Sequence, residues 1–154
     1  GKTSVEMKMM GQSMQKIVFD GKDGYIMVQG QKQPLPAELK EELAANKEIF
    51  PELTFNAKNT TLRGIENVNG EEVYALKKGN KTYFYSVKTG LKVGESQTQK
   101  MQGQEVIVPT YYSDYKEVSG VKLPFKISQN MGGIEMNSDV KSYEINKATD
   151  KDFK

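Results

Sequence analysis

Between residues 112 and 127 apolar and polar side chains alternate, reverse across Ser119-Gly120, and alternate again through Val121, Leu123, Phe125 and Ile127. A period of two is what a strand with two unlike faces requires, and a glycine-bearing pair supplies the positive φ angles that fold it back on its neighbour. The same grammar recurs along the chain. Val5, Met7 and Met9 alternate with Glu6 and Lys8, and Asp20-Gly21-Lys22-Asp23-Gly24 precedes an apolar stretch at residues 25–29. Asn69-Gly70 separates residues 65–68 from 73–76, and Gly79-Asn80 leads into 82–87 with Tyr83, Tyr85 and Val87 on one face. The first of these pairs predicts a type I′ turn, and the second predicts the same device.

One segment breaks the rhythm. Residues 37–47 hold good helix formers without a β-branched residue, glycine or proline, after Pro36 at a position that suits a first helical turn. Leu39, Leu43 and Phe50 fall four and seven residues apart, so a helix carried to Phe50 and stopped by Pro51 would present one apolar stripe. Further on, the polar residues 94–104 read as a long hairpin tip. Pro109 demands an edge position or a bulge, and the phase change between Val140 and Tyr143 predicts a bulge near Lys141.

About ten strands joined mostly by tight turns, with one inserted helix, cannot build a parallel sheet, which needs repeated helical crossovers. The expected fold is mainly β (α+β): a single domain over residues 1–154, its antiparallel sheet curved into a half-barrel with the helix on an apolar concave side.

Composition removes whole classes of chemistry. The 154 residues contain no His and no Cys. Ser-His-Asp triads, thiol nucleophiles, disulfides and His-based zinc sites are therefore excluded. Glu41-Glu42 and Glu71-Glu72 sit on a helix face and beside a turn, where carboxylates are solvated, and no metal or cofactor is expected. The net charge of +2 is spread along the chain, which argues against nucleic acid, and no apolar run is long enough for a transmembrane helix. The expectation is a chain that is not an enzyme.

Residues 62–76, from Leu62-Arg63-Gly64-Ile65 through Asn69-Gly70 to Tyr74-Ala75-Leu76, continue into Tyr83-Phe84-Tyr85-Ser86-Val87-Lys88-Thr89-Gly90-Leu91. With residues 115–125 and 20–25, this pattern resembles the bacterial lipoprotein-carrier-like (LolA/LolB-like) domains over most of the chain. The resemblance implies a half-barrel with a helical lid over a groove for lipid or lipoprotein acyl chains, in the periplasm or envelope of a Gram-negative bacterium. Versions also follow insulinase-type zinc peptidase modules, so an accessory domain of such a polypeptide is the alternative. The chain opens in strand pattern where that family opens with a helix, which reads as a piece of a longer protein. Arg63 maps onto no functional arginine of the family.

The residues that could line an apolar ligand site are Met7, Met9, Met14 and Met27, the helix stripe Leu39, Leu43 and Phe50, and the strand pair Tyr83 and Tyr85. Thioethers adapt to varied apolar partners, and tyrosine joins an apolar ring to a hydroxyl suited to a cavity rim. The same residues equally serve as core filler and cross-strand packing. Two functions follow: a non-catalytic envelope module holding a lipid, acyl chain or other apolar ligand, or a structural or interaction domain with a packed interior that contacts a partner protein.

Overall fold

The computed structural model describes residues 2–10, 12–45, 50–101, 104–131 and 133–153. Among them lie eleven strands, one α-helix and two short 3₁₀ turns. The strands form two antiparallel sheets, one of four strands and one of seven, where a single sheet of about ten is expected from turn counting. Tight turns determine which neighbours pair, but they leave open where the ladder stops. Contacts within the chain define two compact units, Gly1–Leu53 with Asn146–Lys154, and Thr54–Ile145.

The first unit carries β1 (Thr3–Met9), β2 (Gln12–Phe19), β3 (Gly24–Val28) and β4 (Gln31–Pro34) in sequential order, followed by α1 (Ala37–Ala45). Val18, Phe19 and Leu35 are its buried apolar residues. Gly24 stands opposite Phe19, where a Cβ would lie 2.0 Å from the Val18 carbonyl oxygen and 2.7 Å from a Leu35 methyl, so only glycine lets the backbones close there. The turn before it is locked by carboxylates: Asp20 accepts from the Lys22 and Asp23 N–H groups, each at 2.8 Å, and Asp23 accepts from Gly24 N–H. Asp23 also pairs with Lys40 at 3.2 Å, tying α1 to this turn. The helix ends at Ala45 in the described residues, with 46 and 47 outside them. Phe50 is not helical, consistent with its place directly before Pro51, whose ring disfavours the α region in the preceding residue.

The second unit is a seven-strand meander: β5 (Thr61–Val68), β6 (Glu71–Lys78), β7 (Lys81–Ser86), β8 (Lys92–Met101), β9 (Gln104–Val118), β10 (Val121–Met131) and β11 (Ile134–Asp139). Asn69 and Gly70 take φ 51° and 86°, and Ser119 and Gly120 take 52° and 83°, the double left-handed signature of type I′. At Gly79-Asn80 only the glycine is positive, at 60°, so this turn follows the II′ pattern instead. Val73 and Ala75 are fully buried, with Tyr83, Val108, Thr82 and Ser86 also buried.

Of three local expectations, two change and the one at Pro109 is met. The polar stretch from residue 94 is not a tip, because β8 stays paired with β9 from Gly94 opposite Tyr111 to Met101 opposite Gln104. Ladder hydrogen bonds come from the backbone and accept Gln, Thr and Ser side chains. Only 102 and 103 remain for the reversal, outside the described residues. Pro109 sits just past Thr110, the last β9 residue paired with β10, so its missing N–H falls where β9 is paired on one side only. No bulge forms near Lys141, since β11 ends at Asp139. The phase change there comes from leaving the sheet: the Tyr143 hydroxyl donates to the Pro124 carbonyl and its ring meets Phe125 edge-on at 5.3 Å.

Candidate functional site

Register decides which side chains share a face. In the seven-stranded sheet Leu62 stands opposite Leu76, which faces Tyr83, and Ile65 stands opposite Tyr74, which faces Tyr85. Leu62 and Ile65 are three residues apart and would point to opposite faces of a regular strand. The register shift between Leu62 and Gly64, where Gly64 holds φ 128°, brings both to one face. Leu62 and Ile65 are each 59% exposed and Tyr74 is 41% exposed, next to half-buried Leu76 and Tyr85. The result is an open apolar patch two rows wide across β5, β6 and β7.

A second bulge populates the next strand of the same face. Phe84 pairs with Gly94 but Tyr85 pairs with Lys92, so Val93 is the extra residue and Lys92 joins Glu95 on the face of Tyr83 and Tyr85. Glu95 then bonds Lys92 at 3.0 Å and Lys81 at 3.7 Å, all three side chains being less than a fifth exposed. The Lys92 ammonium lies 4.9 Å from the Tyr112 ring centre and 5.5 Å from that of Tyr83, within cation–π range. The Tyr115 hydroxyl donates to the Lys92 carbonyl, anchoring the bulge from β9. Phe55 covers Tyr83 at 5.0 Å between ring centres, and Lys78 lies 5.2 Å over Phe55 while donating to Thr54 Oγ1 at 2.6 Å. One sheet face thus combines a greasy strip with a half-dry cluster in which Lys81 and Lys92 hold the Glu95 carboxylate and Lys78 stands opposite Lys81.

The other face of this sheet borders a cavity of about 510 Å³ whose lining mixes the polar groups of Glu71, Ser128, Asn130 and Glu135 with Val68, Val93 and the Tyr111 and Tyr112 rings. Its walls come from β6 and β11, five places apart in the sheet order and about 24 Å apart in a flat sheet, so the sheet curves around it. In the first unit, Val18, Tyr25, Lys32 and Phe153 border a smaller cavity of about 280 Å³ together with Asp20 and Asp23. The backbone donors to Asp20 and Asp23 hold both carboxyls below the usual aspartate range, Lys40 adding to the effect at Asp23.

The residues singled out from sequence are dispersed. Met7 stands opposite Gln15, and Met27 opposite Lys16, so Met7 and Met27 are on opposite faces of the four-stranded sheet. Met14 is the extra residue of a bulge in β2, and the side chain of Met9 lies outside the described residues. Leu39 and Leu43 share one half-buried side of α1, and Phe50 follows it, exposed. Tyr85 belongs to the apolar patch, while Tyr83 lies buried beneath Phe55. Leu62, Ile65, Tyr74, Lys81, Lys92 and Glu95 were not singled out. Their signals were the lone glycines Gly64 and Gly94 inside strand patterns, which mark bulges.

No protein-family model matches the chain. No curated protein matches it either. Two solved structures are similar in fold. A LolA superfamily protein from Nitrosomonas europaea superposes with a TM-score of 0.61 at 14% identity, over 96% of this chain and 73% of that one. A DUF1329 family protein from Desulfovibrio piger gives 0.60 at 14% identity, over 99% of this chain and 80% of that one. The fold is LolA-like. No helix among the described residues is long and apolar enough to cross a membrane.

Proposed function

We propose that this LolA-like chain is a non-catalytic binding module of the bacterial envelope, periplasmic in location, whose curved sheet works as a half-barrel and holds a lipid or lipoprotein acyl chain. The observation that carries the reading is the apolar patch of Leu62, Ile65, Tyr74, Leu76 and Tyr85, left open to solvent although a buried core was available in the same sheet. Alkyl chains need no reactive group to bind. Each methylene moved out of water contributes about 0.8 kcal/mol, so a long chain gains on the order of 10 kcal/mol before ordering costs.

Titration with a fluorescent long-chain fatty acid tests this. Saturable binding that weakens at least about tenfold in Leu62→Ser/Ile65→Ser supports it, since two apolar contacts worth over 1 kcal/mol each are lost. Both positions are exposed, so the substitutions spare the core. No saturable uptake, or uptake untouched by the double variant, refutes it.

A further inference from the structure

Independently of the acyl patch, we propose that the cavity on the opposite face of the seven-stranded sheet binds an aliphatic amine carrying a cationic group at each end. Its lining follows the sheet order. Val68 and Glu71 stand opposite each other at the β5–β6 end, Val93 and Tyr111 come from β8 and β9, and Ser128 and Glu135 from β10 and β11. Register continues the row, since Tyr111 stands opposite Ser128, and Asn130, two residues further along β10, stands opposite Glu135. A carboxylate therefore stands at each end, with aliphatic and aromatic surface between. Among the described residues the half-buried Glu71 carboxylate meets no cation. Glu135 accepts from Ser128 Oγ at 3.3 Å and Asn137 Nδ2 at 3.1 Å, both on Oε1, which orients the carboxylate and leaves Oε2 to a ligand. No lysine or arginine is among the described residues that line the cavity.

This lining selects at both ends and in the middle. Two carboxylates repel an anion, a monoamine satisfies one of them, and a diamine satisfies both through charge-assisted hydrogen bonds. The methylenes between its ends are covered by Val68, Val93 and the Tyr111 ring, and an ammonium passing that ring gains cation–π attraction. An uncharged diol keeps the apolar contacts and forfeits the ionic ones. The cavity of about 510 Å³ lies within the roughly 300–1,000 Å³ of pockets that take small molecules.

The test is calorimetric titration of the whole chain with diaminobutane, diaminooctane and diaminododecane, against octylamine, octanediol and octanedioate. The best diamine is expected to bind at least about threefold more tightly than octylamine at low salt, with the gap narrowing at about 0.5 M salt. Glu71→Gln should weaken that diamine about three- to tenfold, and Glu135→Gln about two- to fivefold, because Glu135 is exposed and its charge is better screened. The exposed position of Glu135 also spares the core, so this variant reads binding even where Glu71→Gln disturbs the fold. No binding by any diamine, a control ligand that binds as tightly, or diamine binding untouched by both glutamine variants overturns the proposal. Diamine binding that disappears in Leu62→Ser/Ile65→Ser overturns it as well, by placing the amine on the apolar patch. None of these results bears on acyl binding, which is read with the fatty acid.

Discussion

The two sheets obey one alternation rule and present opposite surfaces. In the four-stranded sheet Val5, Ile17 and Ile26 align in one row and Met7 and Val28 flank Gln15 in the next, while Glu6, Lys16 and Lys32 all lie on the other face. Charged groups stay off the first of these faces, while the second mixes them with Met27, which stands between Lys16 and Lys32. In the seven-stranded sheet two bulges break the period, and Leu62, Ile65, Lys92 and Glu95 come to one face. The bulge at Met14 in the four-stranded sheet leaves its rows aligned. In the seven-stranded sheet the added residues Arg63, beside Gly64, and Val93 turn one face into an amphiphilic surface.

The largest test of this contrast concerns the first sheet, whose stability rests on few residues. Phe19→Ala should destabilise by about 3–5 kcal/mol in denaturant unfolding, whereas Val5→Ser on the 54% exposed edge should stay within about 1 kcal/mol. Similar losses at both positions would mean that the exposed row carries packing energy. Next comes Gly24→Ala, expected to cost about 1–3 kcal/mol or more because its methyl would meet the Val18 carbonyl. A neutral outcome would show that β2 and β3 part easily at that point.

Gly64→Val sharpens the comparison on the other side. Space is open around Gly64, so the cost is conformational, about 1–3 kcal/mol for a branched residue at φ 128°. The variant should also weaken amphiphile binding by misaligning Leu62 with Ile65. Unchanged binding would show that the bulge does not build the patch.

The smallest effect is acidic. Asp20 and Asp23 have folded-state pKa values depressed by backbone donors, so each stabilises the fold above the ordinary aspartate range and loses that contribution as pH falls through its lower folded value. Asp20→Asn should flatten the acid limb of a stability–pH curve below about pH 4, the range in which a free aspartate titrates. An unaltered limb would contradict the role assigned to that turn.

Much of the strand pattern was legible because alternation and turn chemistry are local properties. Asn69-Gly70 and Ser119-Gly120 announced their turns, and Pro109 announced an incomplete ladder. The division into two sheets depends on long-range pairing and left no local mark. By spacing alone Phe50 extends a helical stripe, because spacing counts residues and does not weigh the Pro51 ring. The patch was hidden for a related reason: residues three apart share a strand face only across a bulge, and Gly64 and Gly94 marked bulges without fixing their direction.

The account depends most on the patch of β5, β6 and β7 being the place where an alkyl chain settles. Amide and methyl NMR spectra recorded during titration with palmitoyl-lysophosphatidylglycerol test this directly. The expected result is saturable shifts concentrated at Leu62, Ile65, Tyr74 and Tyr85. Shifts confined to Val5, Met7 and Val28, to the cavity beside Tyr111, or to no site would contradict it.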